Sequence, residues 1–284
     1  MDRKRLPLDT ANVTIIGLGL MGSSLALSLK DRCHKLNALE PQEKVCNVAL
    51  RKNIVSAASD DPAEMLIDAD LVILACPVLA IIEWVTRLPE FITHPCVVMD
   101  IGSTKKMVVE AYKKLPDYFE VIGGHPICGK EKLSIDHAQQ DLFSNVYFVL
   151  TELSRTSAHA RKVALEVIQA VGAQAIWMDA DNHDRIMAFT SHVPYLVASA
   201  LLLSTPPDAR ELIGPGLRSS TRLAATPLTM MQDILQTNQD NILEGIRSLK
   251  INIDLIEDAL RTNDPQQMSA ILSRAHSFYH ALME

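Results

Sequence analysis

Short apolar runs rich in β-branched residues alternate with helix-like segments through the first 178 residues of the chain, and then the strand-like runs stop. The runs are VTIIG (13–17), KLNALE (35–40), DLVILAC (70–76), PCVVMDI (95–101), FEVIGG (119–124), VYFVL (146–150) and AQAIW (173–177). Several are continuously apolar rather than alternating, as strands of a parallel sheet covered on both faces must be. Between them, DDPAEMLIDA (60–69) sets an Asp and a Pro at a helix start, and STKKMVVEAYKK (103–114) opens on Ser and Thr and ends in lysines. This alternation predicts right-handed βαβ units and an α/β, Rossmann-type doubly wound sheet over residues 1–178.

Residues 179–284 carry helical apolar spacing instead, which predicts an all-α helical domain. In one long stretch Ile242, Ile246, Leu249, Ile253 and Ile256 form a stripe. Such a stripe suits a core-facing helix within one subunit and equally a dimer interface.

A net charge of −7 with no Lys/Arg run excludes a nucleic-acid footprint, although one or two local arginines would still serve an anionic small substrate. The five cysteines, Cys33, Cys46, Cys76, Cys96 and Cys128, form no C-x-x-C pair, the pattern of a reduced cytosolic protein. MDRKRLPLDT lacks the apolar core of a signal peptide, and the runs 71–82 and 193–203 fall short of the roughly 20 residues a bilayer needs. A cytoplasmic location without membrane attachment is therefore expected. No H-x-x-E or Cys cluster is present to hold a metal.

The first apolar run leads into GLGLMG, residues 17–22, with glycines spaced G-x-G-x-x-G before a helical segment. In that context Gly17 permits a tight turn, Gly19 lets a pyrophosphate approach the backbone, and Gly22 lets helix and strand pack closely. With Leu18, Leu20 and Met21 these residues would place phosphates at a helix N-terminus. Glu40, 18 residues past Gly22 at the end of the second run, is positioned to accept the ribose hydroxyls and repel a 2′-phosphate. NAD is therefore favoured over NADP. Cys76 and Pro77, in LACP, fall where side chains line the cofactor crevice, and Cys76 reads as a wall residue rather than a nucleophile.

Two later strand ends carry polar groups. In DIGSTK (100–105) Ser103 stands either as a helix cap or where cofactor and substrate meet, and the two roles can coexist. In GGHPICGK (123–130) His125 is held between glycines and a proline. It reads either as an ordinary histidine or as the group that takes a proton near neutral pH while hydride leaves an alcohol.

The ordered set G-x-G-x-x-G, D-x-x-S-T-K, G-x-H-P-x-x-G, HDR…SHVP (183–194) and STRLA (220–224) resembles the prephenate/arogenate dehydrogenase family of tyrosine biosynthesis over roughly residues 12–284. The resemblance implies a Rossmann domain followed by a helical domain that forms a homodimer. It also implies NAD-dependent oxidative decarboxylation of prephenate, or of arogenate. His125 then matches the histidine that assists deprotonation of the substrate C4 hydroxyl, and Ser103 the serine that bonds the same hydroxyl or the histidine. Arg222 matches an arginine that binds a substrate carboxylate, and His192 a histidine of the substrate site. By residue type alone, His192 and Arg222 are ordinary polar residues on helices.

The chain departs from the family pattern at HPIC, at Tyr195 where a second histidine is frequent, at Ser219 where an acid often stands, and at Met231. These changes bear on any gating ion pair and on the side chain accepted. A β-hydroxyacid or imine-reductase type of dehydrogenase shares the glycine start and helical tail but usually carries a catalytic lysine and lacks H-P-x-x-G. An NAD-binding sensor dimer would need none of Ser103, His125, His192 and Arg222.

Overall fold

The computed structural model describes residues 6–129 and 134–283. The start of MDRKRLPLDT and Lys130 of the HPICGK stretch lie outside the described residues. In chain order the sheet half comprises β1 (Asn12–Ile16), α1 (Leu20–Leu29), β2 (Lys35–Leu39), α2 (Glu43–Arg51), β3 (Ala57–Ser59), α3 (Pro62–Leu66), β4 (Leu71–Leu74) and α4 (Val78–Phe91). It continues through β5 (Cys96–Asp100), α5 (Lys106–Tyr112), β6 (Phe119–Pro126), β7 (Tyr147–Thr151), α6 (Ala158–Val171) and β8 (Gln174–Trp177). The helical half follows as α7 (Ala180–Met187), α8 (Val193–Leu203), α9 (Pro215–Thr221), α10 (Leu228–Thr237), α11 (Gln239–Arg261) and α12 (Pro265–Met283).

The eight strands form one sheet in the order β3-β2-β1-β4-β5-β6-β7-β8. Strand alternation divides the side chains between two cores, one on each face. Val13, Ile15, Leu71, Ile73, Val97 and Met99 join Leu25 of α1 and Val167 of α6 on one side. Ile16, Val72, Leu74 and Val98 join Val85 of α4 and Val108 of α5 on the other. Burial on both faces explains the unbroken apolar runs.

Two features differ from the sequence expectation. β3 is an additional edge strand, too short and too poor in β-branched residues to register as a run. The sheet is parallel only up to β6, because β7 pairs antiparallel to β6 and β8 then follows parallel to β7. Among the described residues, the chain between β6 and β7 holds a 3₁₀ turn (Ile135–His137) and no crossover helix, so the strand direction reverses.

Asp61 caps α3, accepting from the Ala63 N–H, with Pro62 at the first position as the sequence indicates. The segment α7–α8 is one continuous 24-residue helix, Ala180–Leu203, joined through a π-helical turn at Ala188–His192. By length and composition it could cross a membrane, although the sequence alone marks only the shorter apolar run 193–203. Pro194 comes just after the π-helical turn, so its missing N–H falls where the regular bonding is already interrupted, and the helix runs on. Of the α11 stripe, Ile242 is buried and Ile246 and Leu249 are partly buried, while Ile253 and Ile256 are exposed. The stripe is therefore core at one end and open surface at the other.

Candidate active site at the carboxyl edge of the sheet

A cleft of about 500 Å³ lies over the carboxyl ends of β1, β2, β4 and β5. Gly17, Gly19, Leu20, Met21, Glu40, Cys76, Pro77 and Ser103 line it from the sheet half. Thr229, Met230 and Ile234 of α10 close it from the helical half. Asp233, on the same helix, accepts the Leu79 N–H at 3.1 Å near the start of α4, tying the two halves together at the cleft.

The glycine turn has the shape its spacing predicts. Gly17 adopts φ +97°, a left-handed conformation that favours glycine, and a Cβ there would press on the Ala75 carbonyl oxygen at 2.9 Å. A Cβ on Gly22 would overlap the Gly17 carbonyl oxygen, so α1 approaches the turn closely only because Gly22 lacks a side chain. Gly19 is the N-cap of α1, leaving its first N–H groups facing the cleft end. Glu40 is buried just past β2, its carboxylate accepting from Leu18 N at 2.9 Å and Gln42 N at 3.1 Å. It holds the glycine loop from behind while remaining a cleft wall. Burial, ahead of the negative charge of Asp100, pushes the Cys76 thiol up to about 12, which removes it as a nucleophile at neutral pH.

His125, which is not among the cleft-lining residues, stands near the end of β6. Its Nδ1 lies 2.8 Å from His183 Nε2, and His183 Nδ1 lies 2.7 Å from Asp184 Oδ1. The Asp184 carboxylate also accepts the N–H groups of Lys105 at 2.7 Å and Lys106 at 2.9 Å, at the start of α5. Ser103 therefore does not cap α5; an acid from the helical half does. His183 and Asp184 are buried, and His125 is half-buried. Burial, then His183, Lys105 and His192, hold the His125 imidazole well below its ordinary value, so its neutral form prevails.

Asn238 Nδ2, at the α10–α11 junction, donates to the Asp184 carbonyl oxygen at 2.7 Å and faces His192 Nδ1 at 3.1 Å. His192 is buried at the end of the π-helical turn, and burial lowers it to about 4 against the opposing pull of Asp184. Below this layer Lys105 Nζ forms a fully buried ion pair with Asp100, which also accepts from Gly102 N at 2.9 Å and Tyr112 Oη at 3.2 Å. The pair is tolerable there because every one of these donors converges on the one carboxylate.

The structure thus gathers His125 and His192, while Ser103 lies on the cleft wall two residues from Lys105. Arg222 is exposed at the head of a 3₁₀ turn (Arg222–Ala225) packed on α8, and it is not among the cleft-lining residues. Tyr195 is half-buried on α8 and Met231 is buried on α10. His183 and Asp184 stand in the sequence only as part of the HDR motif, with no role assigned, and Asn238, Thr229 and Asp233 carry no sequence signal.

A left-handed glycine turn, an acid at the next strand end and a buffered strand-end histidine, all at one sheet edge, define an NAD-dependent dehydrogenase. Residues 25–177 match the family model "Prephenate dehydrogenase, nucleotide-binding domain", and residues 179–274 match "Prephenate dehydrogenase, dimerization domain". The chain belongs to the prephenate dehydrogenase family. It is 31% identical to the prephenate dehydrogenase of Lactococcus lactis subsp. cremoris, over 95% of this chain and 77% of that protein. It is 28% identical to the cyclohexadienyl dehydrogenase of Zymomonas mobilis, over 89% of each. Its fold matches the A. aeolicus prephenate dehydrogenase solved with hydroxyphenyl propionate and NAD+, with a TM-score of 0.88, 24% identity, and coverage of 97% and 99% of the two chains.

Proposed function

We propose that the chain oxidises prephenate with NAD, releasing CO2 and 4-hydroxyphenylpyruvate, and that His125 is its proton acceptor. The observation that carries the reading is a neutral, half-buried histidine hydrogen-bonded from behind, at the same sheet edge as a cleft whose glycine turn leaves no room for a Cβ. The cleft fits a dinucleotide: Gly17, Gly19 and Gly22 would accommodate the pyrophosphate, Glu40 the ribose hydroxyls, and Cys76 and Pro77 the wall. NAD, when bound, accepts the hydride that leaves C4 of the substrate.

The protein's own residues then have three tasks. His125 takes the proton of the C4 hydroxyl, and Ser103 orients that hydroxyl. His192 and Arg222 hold the substrate carboxylates, a guanidinium being suited to a two-point grip. As the ring carboxylate departs as CO2, its bonding electrons pass into the ring to complete the aromatic system. The C4 oxygen can then recover the proton held by His125, so the reaction needs no other acid.

We also divide the chain at residue 178, assign it to the cytoplasm, and infer a homodimer formed through the helical half. Exposed Leu201, Leu203, Ile253, Leu260, Leu272 and Leu282 leave that half with an uncovered apolar surface. Arogenate is the second candidate substrate, differing only in an ammonium for the keto group. Steady-state assays of nicotinamide reduction test the substrate and cofactor assignments, with prephenate and arogenate each paired with NAD and with NADP. Prephenate with NAD is expected to give the highest kcat/KM, and silence in all four combinations overturns the reading.

A further inference from the structure

The hydrogen-bond chain behind His125 has a direction, which its two ends determine. The Asp184 carboxylate already accepts two backbone N–H groups from the start of α5, which an ionised carboxylate does best. An ionised carboxylate can only accept, so His183 Nδ1 must carry the hydrogen that meets it. In neutral His183 that leaves Nε2 as a lone pair, and His125 Nδ1 must donate to it. His125 is thereby left with an unprotonated Nε2.

The neighbouring chain runs with the opposite polarity. The Asp184 backbone carbonyl can only accept, so the amide of Asn238 must turn its NH₂ toward it. Asn241 Nδ2 donating to Asn238 Oδ1 at 2.8 Å fixes the same orientation. The second hydrogen of that NH₂ points to His192 Nδ1, which must accept, leaving His192 with a protonated Nε2.

We propose that His183 and Asp184 are positioning residues that lock His125 in its Nδ1–H form, as a proton acceptor, while Asn238 locks His192 in the Nε2–H form, as a donor. Asp184 is common to both chains, through its carboxylate in one and its carbonyl in the other. The same carboxylate anchors the helical half to the N-terminus of α5. Docking of the two halves and the proton inventory of the site are therefore set by one residue. The inference rests on the reading of His125 as the proton acceptor, and it adds what makes that nitrogen available.

Charge supports the arrangement. The groups facing His125 are His183 and Asp184 from α7, His192 from the π-helical turn, and Lys105 from the loop before α5, itself neutralised by Asp100. Asp184 is thus the negative group able to stabilise a proton arriving on His125, and it acts through His183.

Nitrogen-15 NMR of the histidine-labelled, substrate-free protein at neutral pH tests the tautomers without requiring turnover. The expected result is Nδ1–H for His125 and Nε2–H for His192. Nε2–H on His125 would overturn the proposal. In kinetics with prephenate and NAD, His183→Leu should lower kcat by about 100-fold, the usual size of a general-base contribution. Its KM for NAD should stay within about twofold. His183 is among the groups that hold His125 below its ordinary value, so its loss should move the acid limb of kcat/KM to higher pH.

His183→Gln offers a carbonyl to His125 and an N–H to Asp184, preserving the polarity, and should retain turnover within about tenfold of the wild type. Turnover of His183→Leu within threefold of wild type, or a loss with an unmoved acid limb and no rescue by Gln, would overturn the proposal. If His183→Leu does not fold, the Gln variant and the wild-type spectrum still decide. If wild-type protein does not consume prephenate, the reaction reading fails while the tautomer measurement stands.

Discussion

The two halves of the molecule fill their interiors very differently. The sheet half has a large apolar core on each face, with Ile15, Leu25, Phe148, Val85 and Leu88 completely buried. The helical half has one small cluster of its own, in which Ala188, Val193 and Ile242 are the buried members among the described residues. Along α12 no described residue is buried, and Leu260 at the end of α11, with Leu272 and Leu282 of α12, are all more than half exposed. A parallel sheet covered by helices satisfies itself within one chain. A handful of long helices with so little enclosed apolar area cannot offset the ordering of their residues and needs a second surface. Yet the site is built from both halves, so the self-sufficient half supplies the cleft and the dependent half supplies His183, Asp184 and His192.

The largest expected effect falls where the halves meet. His125→Asn should lower turnover by about 1000-fold while NAD affinity, followed by nucleotide titration, stays near wild type. A parallel loss of NAD binding would mean that His125 holds the sheet together instead of handling a proton. An insult confined to the sheet half, Gly22→Ala, should weaken NAD binding by about 100-fold through overpacking at the Gly17 carbonyl, with dimerisation unchanged in light scattering.

The opposite experiment charges the helical face. Ile253→Asp with Leu260→Asp should raise the dimer dissociation constant by at least about 30-fold, a hot-spot-sized loss, while the protein still binds NAD. A dimer that survives both charges would show that the interface lies elsewhere.

Acid should also separate the halves. The folded state keeps His192 neutral down to about 4, whereas the unfolded chain takes up the proton near 6.5. The folded form binds fewer protons in that window, so this stability is present above 6.5 and lost as pH falls toward 4. His192→Gln should flatten the fall in melting temperature across that range. The smallest expected effect is that of Asp233→Ala. Loss of its bond to Leu79 N should cost about 1 kcal/mol in thermal unfolding, with a modest rise in KM for NAD.

Most of the sheet half was legible from residue order alone. Apolar strands buried on both faces leave a one-dimensional signal, and the runs that start at 13, 35, 70 and 95 begin within a residue or two of the strands β1, β2, β4 and β5. The glycine turn was equally readable, since a positive φ and a forbidden Cβ are properties of residue type. Pairing direction was not, because β6 and β7 reverse through a connection whose composition carries no mark of it. Nor was the support of His125. Its partners lie 58 and 59 positions along the chain and meet it only because α7 docks on the start of α5. Long-range polar contacts of this kind have no period to read. Family motifs supplied His192 and Arg222, and only the packed helices reveal Asn238 beside His192.

The π-helical turn at Ala188–His192 sets an angular phase for everything after it. In an uninterrupted α-helix each residue advances about 100°, so His192, eight positions after Asp184, would be displaced by about 80° around the axis. A π turn takes up one additional residue per turn, which makes the separation equivalent to seven positions and returns the two to within about 20° of each other. That alignment is what lets a single Asn238 amide reach both of them. It also rotates α8 as a unit, so the outward side of Leu201 and Leu202 is fixed by the same extra residue. Wound as a regular α-helix, the same residues would point the donor histidine and the outer apolar face about a quarter-turn away, whereas deleting one residue from this turn would restore a regular helix that keeps both in phase.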